Sequence, residues 1–227
     1  MSVKPHRISA RAILFDWDGT LLDSFRADAR AYQAMFRALE IPWTARDLAR
    51  HYSPDWYRVY EAARIPRDKW ELADKLWGQA YQKENPRLLP GVRKMLAKLR
   101  RDFVLGLVTS GDAKRVRRQL NQFEFTALFG ACICAEDAPR RKPHPAPLKY
   151  AMRCMKMRVQ DCVYVGDAPE DIEMARRAGV RSIGVIGPFP SARRIRAARP
   201  DVLLTSILDL PGVITPEVGT QNFDAQG

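Results

Sequence analysis

Hydrophobic positions along the 227-residue chain fall into two rhythms. Short continuous apolar runs at Ala12 to Phe15, Val104 to Val108, Ala131 to Cys134, Cys162 to Val165, Ser182 to Ile186 and Val202 to Leu204 predict buried strands. Between them apolar residues recur at helical spacing, as in Val92, Met95, Leu96 and Leu99, in Val116, Leu120 and Phe123, and in Leu148, Ala151, Met152 and Met155. Strand and helix therefore alternate. That alternation predicts an α/β fold with a doubly wound parallel sheet, a Rossmann-like core whose ligands gather at the carboxyl ends of the strands.

The first run breaks the rhythm, because a long helical stretch separates it from the second. Phe25, Ala29, Tyr32, Phe36 and Leu39 lie on one helical stripe, and Trp70, Ala73, Trp77, Ala80 and Tyr81 on another. The stripes predict a small α-helical domain inserted over residues 22–87, with residues 1–21 and 88–227 forming the sheet domain. The aromatics of the insertion are expected to build the core of a helical bundle. The segment NPRLLPG, with two prolines and a glycine, closes the insertion before a helix starting at Val92. The stretch after Pro216 has no periodicity and is expected to fray.

Composition narrows the class without naming a chemistry. Hydrophobic residues at 46% and charged residues at 28% are ordinary for a folded domain, which excludes disordered and disulfide-dense chains. No apolar run reaches the roughly 20 residues that cross a bilayer, so no membrane partner is expected and the chain is read as cytoplasmic. Four cysteines suggest no disulfide framework. Cys132, Cys134, Cys154 and Cys162 read as small core residues, and His6, His51 and His144 are too scattered for a zinc site. A metal, if bound, would take oxygen ligands. The net charge of +12 favours anionic ligands in general. Its basic runs, KRVRR at Lys114 to Arg118 among them, are scattered, carry no interleaved aromatics and read as solvated helix faces, so nucleic acid is not an expected partner.

Four loop fragments carry candidate chemistry. FDWDGTLLDS places Asp16 and Asp18 in the turn where the first strand stops, with Gly19 to turn the backbone and Thr20 to support it. Read alone, it could be a simple Asx-turn. LGLVTSGDAKRV ends a strand at Thr109 and opens a helix after Ser110, Gly111 and Asp112. Hydroxyls and free amides at a helix start can hold a phosphate, although Ser110 or Asp112 could equally be an ordinary cap. In RRKPHPAPLKYAM, Pro143 biases Lys142 away from helical geometry and helps hold an ammonium in place, while His144 reads as a loop residue. CVYVGDAPEDIEMARRAG brings Asp167 and then Asp171 to the same edge at a helix start, where either could be a capping acid. Together they deliver what magnesium prefers, a few carboxylates converging with water and a phosphate.

In this order and spacing the fragments resemble the haloacid dehalogenase superfamily, in its phosphatase branch with a small helical cap, and are loosely similar to phosphoglycolate phosphatases. The resemblance implies a phosphomonoester hydrolase acting on a small phosphorylated metabolite with Mg2+ as cofactor. It implies that Asp16 is the nucleophile and forms an aspartyl-phosphate, that Asp18 is the general acid and base, and that Thr109 and Lys142 grip the phosphoryl oxygens. Ser110 and Gly111 would add phosphate contacts. Asp16, the backbone carbonyl of Asp18 and Asp167 would coordinate the metal, with Asp171 ligating or supporting it. Ala168 departs from the pattern, which often has a serine or threonine there, so a supporting hydroxyl is missing. A phosphoglucomutase-like transferase and a non-catalytic basic binding module are the alternative readings, and a monomer or a homodimer is expected.

Overall fold

A computed structural model describes residues 7–217. In chain order it contains β1 (Ile8–Ala10), β2 (Ala12–Phe15), β3 (Leu22–Asp23), α1 (Phe25–Ala38), α2 (Ala45–His51), α3 (Trp56–Ala62), α4 (Trp70–Tyr81), β4 (Arg87–Leu88), α5 (Val92–Leu99) and β5 (Val104–Val108). There follow α6 (Ala113–Gln122), β6 (Ala131–Ile133), α7 (Ala146–Cys154), β7 (Cys162–Gly166), α8 (Pro169–Ala178), β8 (Arg181–Val185), α9 (Ala192–Ala197), β9 (Val202–Leu204), α10 (Leu210–Val213) and β10 (Ile214–Pro216). The apolar runs become one parallel sheet of six strands in the order β6-β5-β2-β7-β8-β9. All four residues of β2 are buried, as expected for a central parallel strand covered on both faces. Order along the sheet reverses beside β2, which puts the switch point where Asp16 leaves that strand.

Helical stripes cover the two faces. Val92, Met95, Leu96 and Leu99 of α5 and Val116 and Leu120 of α6 pack with Ile13, Phe15, Val163 and Val165 on one side. Leu148, Ala151 and Met152 of α7 and Met174 and Ala175 of α8 pack with Leu14, Val108 and Tyr164 on the other. Strand limits differ from the apolar runs by one residue at β6, β7 and β8, the usual scatter of element boundaries. A short parallel ladder of β1 with β10 carries no long apolar run and was not legible as a pair. Cys134 and Cys162 are buried, but Cys154 is exposed on the outer face of α7, contrary to the expectation of a core residue. The expected fraying after Pro216 falls, beyond Glu217, outside the described residues.

Between β3 and β4, which pair antiparallel, the chain builds α1 to α4. These helices own a separate core of Tyr32, Met35, Phe36, Leu48, Val59 and Tyr60. Thr44 starts α2 with a capping box, its hydroxyl accepting from the Asp47 amide while the Asp47 carboxylate accepts from the Thr44 amide. The helical unit meets the sheet unit through polar and aromatic contacts. Ser53 Oγ donates to Glu170 Oε1 at 3.1 Å, Arg194 Nη1 donates to the Tyr52 carbonyl at 2.9 Å, and the Phe189 ring lies 4.8 Å from Tyr52 and 5.1 Å from Phe25.

Candidate active site

Parallel register brings the loop residues together. Phe15 pairs with Leu107 on one side and Val165 on the other, so the residues that follow β2, β5 and β7 leave the sheet side by side. The Asp16 amide donates to the Val165 carbonyl at 2.8 Å, and the Thr109 amide donates to the Ile133 carbonyl at 2.9 Å. Beyond Asp16 the chain must turn at once. Gly19 does so with φ of 84°, and a Cβ at Gly19 would strike the carboxylate of Asp167 and the ring of Phe189. Trp17 is fully buried, and its Nε1 donates to Gln119 Oε1 at 2.9 Å, which ties the loop to α6.

Lys142 is the hub. It is 4% exposed, and its ammonium uses all three donors: to Asp16 Oδ1 at 2.6 Å, to Asp171 Oδ1 at 2.8 Å and to the Tyr164 hydroxyl at 2.8 Å. Burial opposes the lysine's charge, but Asp16 and Asp171 outweigh it and carry its pKa above the ordinary lysine value. The Tyr164 hydroxyl donates a hydrogen bond to the Val108 carbonyl at 2.9 Å, so the arrangement is anchored on β5 and β7. Burial pushes Asp16 up to about 7, with Lys142 opposing the rise and Asp171 adding to it. Burial, then Asp16 and Asp171, raise Asp167 well above the carboxylate range. The site thus concentrates more negative charge than one ammonium balances.

A cation fits that imbalance. Asp16, Asp167 and Asp171 each offer an oxygen within 4.8 Å of the others, and Asp167 Oδ2 is buried without a hydrogen-bond partner among the described residues. Buried carboxylate oxygens with a free lone pair suit a hard ion such as magnesium. Asp171 is engaged on both oxygens, by Lys142 and by the Ala168 amide at 3.1 Å, which suits a supporting role. The hydroxyl missing at Ala168 has a counterpart: Thr20 Oγ1 donates to Asp167 Oδ1 at 3.2 Å. The Asp18 carboxylate is not part of the three-acid cluster, which leaves its backbone carbonyl as the atom it can offer.

That carboxylate meets Arg115 instead. Arg115 Nη1 and Nη2 donate to Asp18 Oδ1 and Oδ2 at 3.0 and 2.8 Å. Arg115 belongs to the KRVRR run read as a solvated face, yet its side chain is only 10% exposed and its guanidinium lies 5.0 Å from the Tyr81 ring centre. The available signal was local: Asp112 caps α6 by accepting from the Arg115 amide at 2.8 Å, which places that side chain in the first turn beside the site. Tyr164 and Asp28 were missed for the opposite reason. Both sit among apolar neighbours in segments that read only as strand and bundle core.

A cavity of about 640 Å³ opens above the cluster. Asp16, Asp18, Thr109, Ser110, Gly111, Lys142, Asp167 and Asp171 all line it, so the residues expected to act on phosphate or metal reach one space, while Gly19, Thr20 and His144 do not line it. Tyr32, Tyr52, Trp56, Tyr57, Tyr60, Trp77 and Tyr81 of the helical unit line it too. The aromatic stripes therefore supply cavity wall as well as bundle core. The sequence pattern of haloacid dehalogenase-like hydrolases matches residues 13–185. The chain belongs to this family. It is an enzyme of the hydrolase class. It is 27% identical to a phosphoglycolate phosphatase of Photorhabdus laumondii over 216 residues, covering 90% of this chain and 92% of that protein. It is 29% identical to the phosphoglycolate phosphatase of Escherichia coli over 229 residues, covering 88% and 90%. A crystal structure described as a predicted phosphoglycolate phosphatase from Haemophilus somnus superimposes with a TM-score of 0.80 at 23% identity, covering 89% of this chain and 96% of that one. Among the described residues no helix is long and apolar enough to cross a membrane.

Proposed function

We propose that this hydrolase is a magnesium-dependent phosphatase that cleaves a phosphomonoester of a small metabolite, of the phosphoglycolate or sugar-phosphate type, through an aspartyl-phosphate on Asp16. The observation that carries this reading is the buried convergence of Asp16, Asp167 and Asp171 around Lys142. The names of the related proteins support the same chemistry. Asp16 attacks phosphorus, forming an oxygen–phosphorus bond as the bond to the leaving oxygen breaks. Asp18 gives that oxygen a proton, then takes one from the water that attacks the aspartyl-phosphate and restores Asp16. Lys142 and Thr109, with Ser110 and Gly111, hold the phosphoryl oxygens while charge shifts among them. Asp16, Asp167 and the Asp18 carbonyl would hold Mg2+, with Asp171 behind them. The ion's chemistry is to offset the negative charge that otherwise repels a carboxylate nucleophile.

Residues 22–87 act in this reading as a cap over the sheet domain, excluding water and contacting the leaving group. The test is direct. With magnesium and an aryl phosphate, Asp16→Asn should release no phosphate, while the wild type turns over. Wild-type rates in the Asp16→Asn protein would overturn the assignment.

A further inference from the structure

Outside the cavity, the segment ACIC sets two thiols side by side at the edge of the sheet. Its strand, β6, is outermost and pairs with β5 alone among the described strands. Cys132 lies in β6 and Cys134 directly after it, two residues apart and with Sγ atoms 3.9 Å from one another. Both are free thiols, Cys132 half-buried and Cys134 buried. The hydrogen bond they share holds the Cys132 pKa below the ordinary thiol value and, with burial, pushes Cys134 up. Cys132 is therefore the thiol that ionises first, and the thiolate is the reactive form.

The backbone between and beside these cysteines supports the loop at residues 109–111. The Ile133 carbonyl accepts from the Thr109 amide at 2.9 Å, and the Ala135 amide donates to the Gly111 carbonyl at 3.1 Å. Thr109, Ser110 and Gly111 in turn line the cavity. In an extended strand, residues two apart are separated by about 6.6 Å between Cα atoms, at the wide end of the roughly 4.4–6.8 Å that disulfides span. A bond between the two sulfurs would draw the chain in around Ile133 by roughly 1 Å, toward the usual 5.5–6 Å. An edge strand can yield in this way, because only one of its sides is tied into the ladder.

We infer that Cys132 and Cys134 form an oxidisable dithiol that reacts with a small disulfide such as oxidised glutathione and, once bridged, displaces the loop at residues 109–111. The Cys132 thiolate attacks one sulfur of the oxidant, forming a mixed disulfide and expelling one glutathione thiolate. Cys134 then gives up its proton and attacks the Cys132 sulfur, closing the protein disulfide and releasing the second glutathione thiolate. Two protein thiols lose two electrons, and one oxidant disulfide is reduced to two thiols. The bond needs no assumption about the reaction at Asp16, whereas its effect on turnover rests on the phosphatase reading.

The experiment incubates the reduced full chain with oxidised glutathione and splits each sample between peptide mass mapping and hydrolysis of p-nitrophenyl phosphate with magnesium. Both cysteines fall in one tryptic peptide, residues 119–140, which should lose two hydrogens. In parallel kcat/KM should fall about tenfold or more, because a displacement of roughly 1 Å at a substrate-holding residue can cost up to about 100-fold. Dithiothreitol should restore both mass and rate. Cys132→Ser should keep the reduced rate and resist the oxidant, whereas Cys134→Ser should stop at the mixed disulfide with one glutathione attached. No bridge in that peptide, a bridge that leaves kcat/KM unchanged, or equal inactivation of Cys132→Ser overturns the inference, and the first two are read on the wild type even if a variant does not fold. A reduced protein that releases no phosphate fails the phosphatase reading instead, and the peptide mass then judges the dithiol alone.

Discussion

Arg115 grips Asp18 with two N–H donors, and such a fork fixes a carboxylate in orientation as well as place. If Asp18 protonates the leaving oxygen, loosening that grip should matter most where the oxygen needs a proton. Arg115→Gln should therefore lower kcat about tenfold for an alkyl phosphate and less for p-nitrophenyl phosphate, whose phenolate leaves more readily; equal losses would assign Arg115 a purely structural part. Asp28 yields a second prediction, about stability. Burial, with the charge of Asp18 adding to it, raises its pKa from 3.8 to about 7. The folded state then binds more protons than the unfolded state between those values, so its contribution is whole below pH 3.8 and is lost as pH rises through 7. The full rise corresponds to roughly 4 kcal/mol. Asp28→Asn should gain stability over the wild type as pH climbs from 5 to 8, measured by urea unfolding at each pH; a difference independent of pH would refute the burial of a titrating acid.

Elements decide which of these residues meet. The apolar face of α1 serves two masters, since Met35 and Phe36 fill the core of the helical unit while Asp28 and Tyr32, a turn or two earlier, line the cavity. Met35 is fully buried. Met35→Ala should cost about 2–5 kcal/mol by leaving a cavity in that small core. Because α1 carries Asp28, KM should rise as the wall loosens. Equilibrium unfolding and initial-rate kinetics on one preparation check both effects, and a fall in kcat with KM unchanged would disconnect the bundle core from the cavity wall.

At the scale of the molecule, three acids cluster at the edge of the sheet and two of them pair with one ammonium, so a bound cation relieves repulsion there. Magnesium should therefore raise the melting temperature by several degrees, and EDTA should reverse this and stop turnover. A melting temperature indifferent to both would count against the oxygen-ligand site. The order of the four acidic and basic loop fragments, the strands that deliver them and the helical insertion were legible in the chain, because strand and helix periods are local and a residue after a parallel strand must emerge at its carboxyl edge. Asp16, Thr109 and Asp167 could be named on that ground, and Lys142 through the prolines around it and the family resemblance. Whether Arg115 faced solvent or Asp18, whether Thr20 or a neighbour of Asp167 supplied the hydroxyl, and whether Asp28 and Tyr81 were core or wall depended on contacts between residues up to 147 positions apart. Only the folded packing decides such contacts, since hydrophobic spacing records that a side chain is buried and carries no record of what it is buried against.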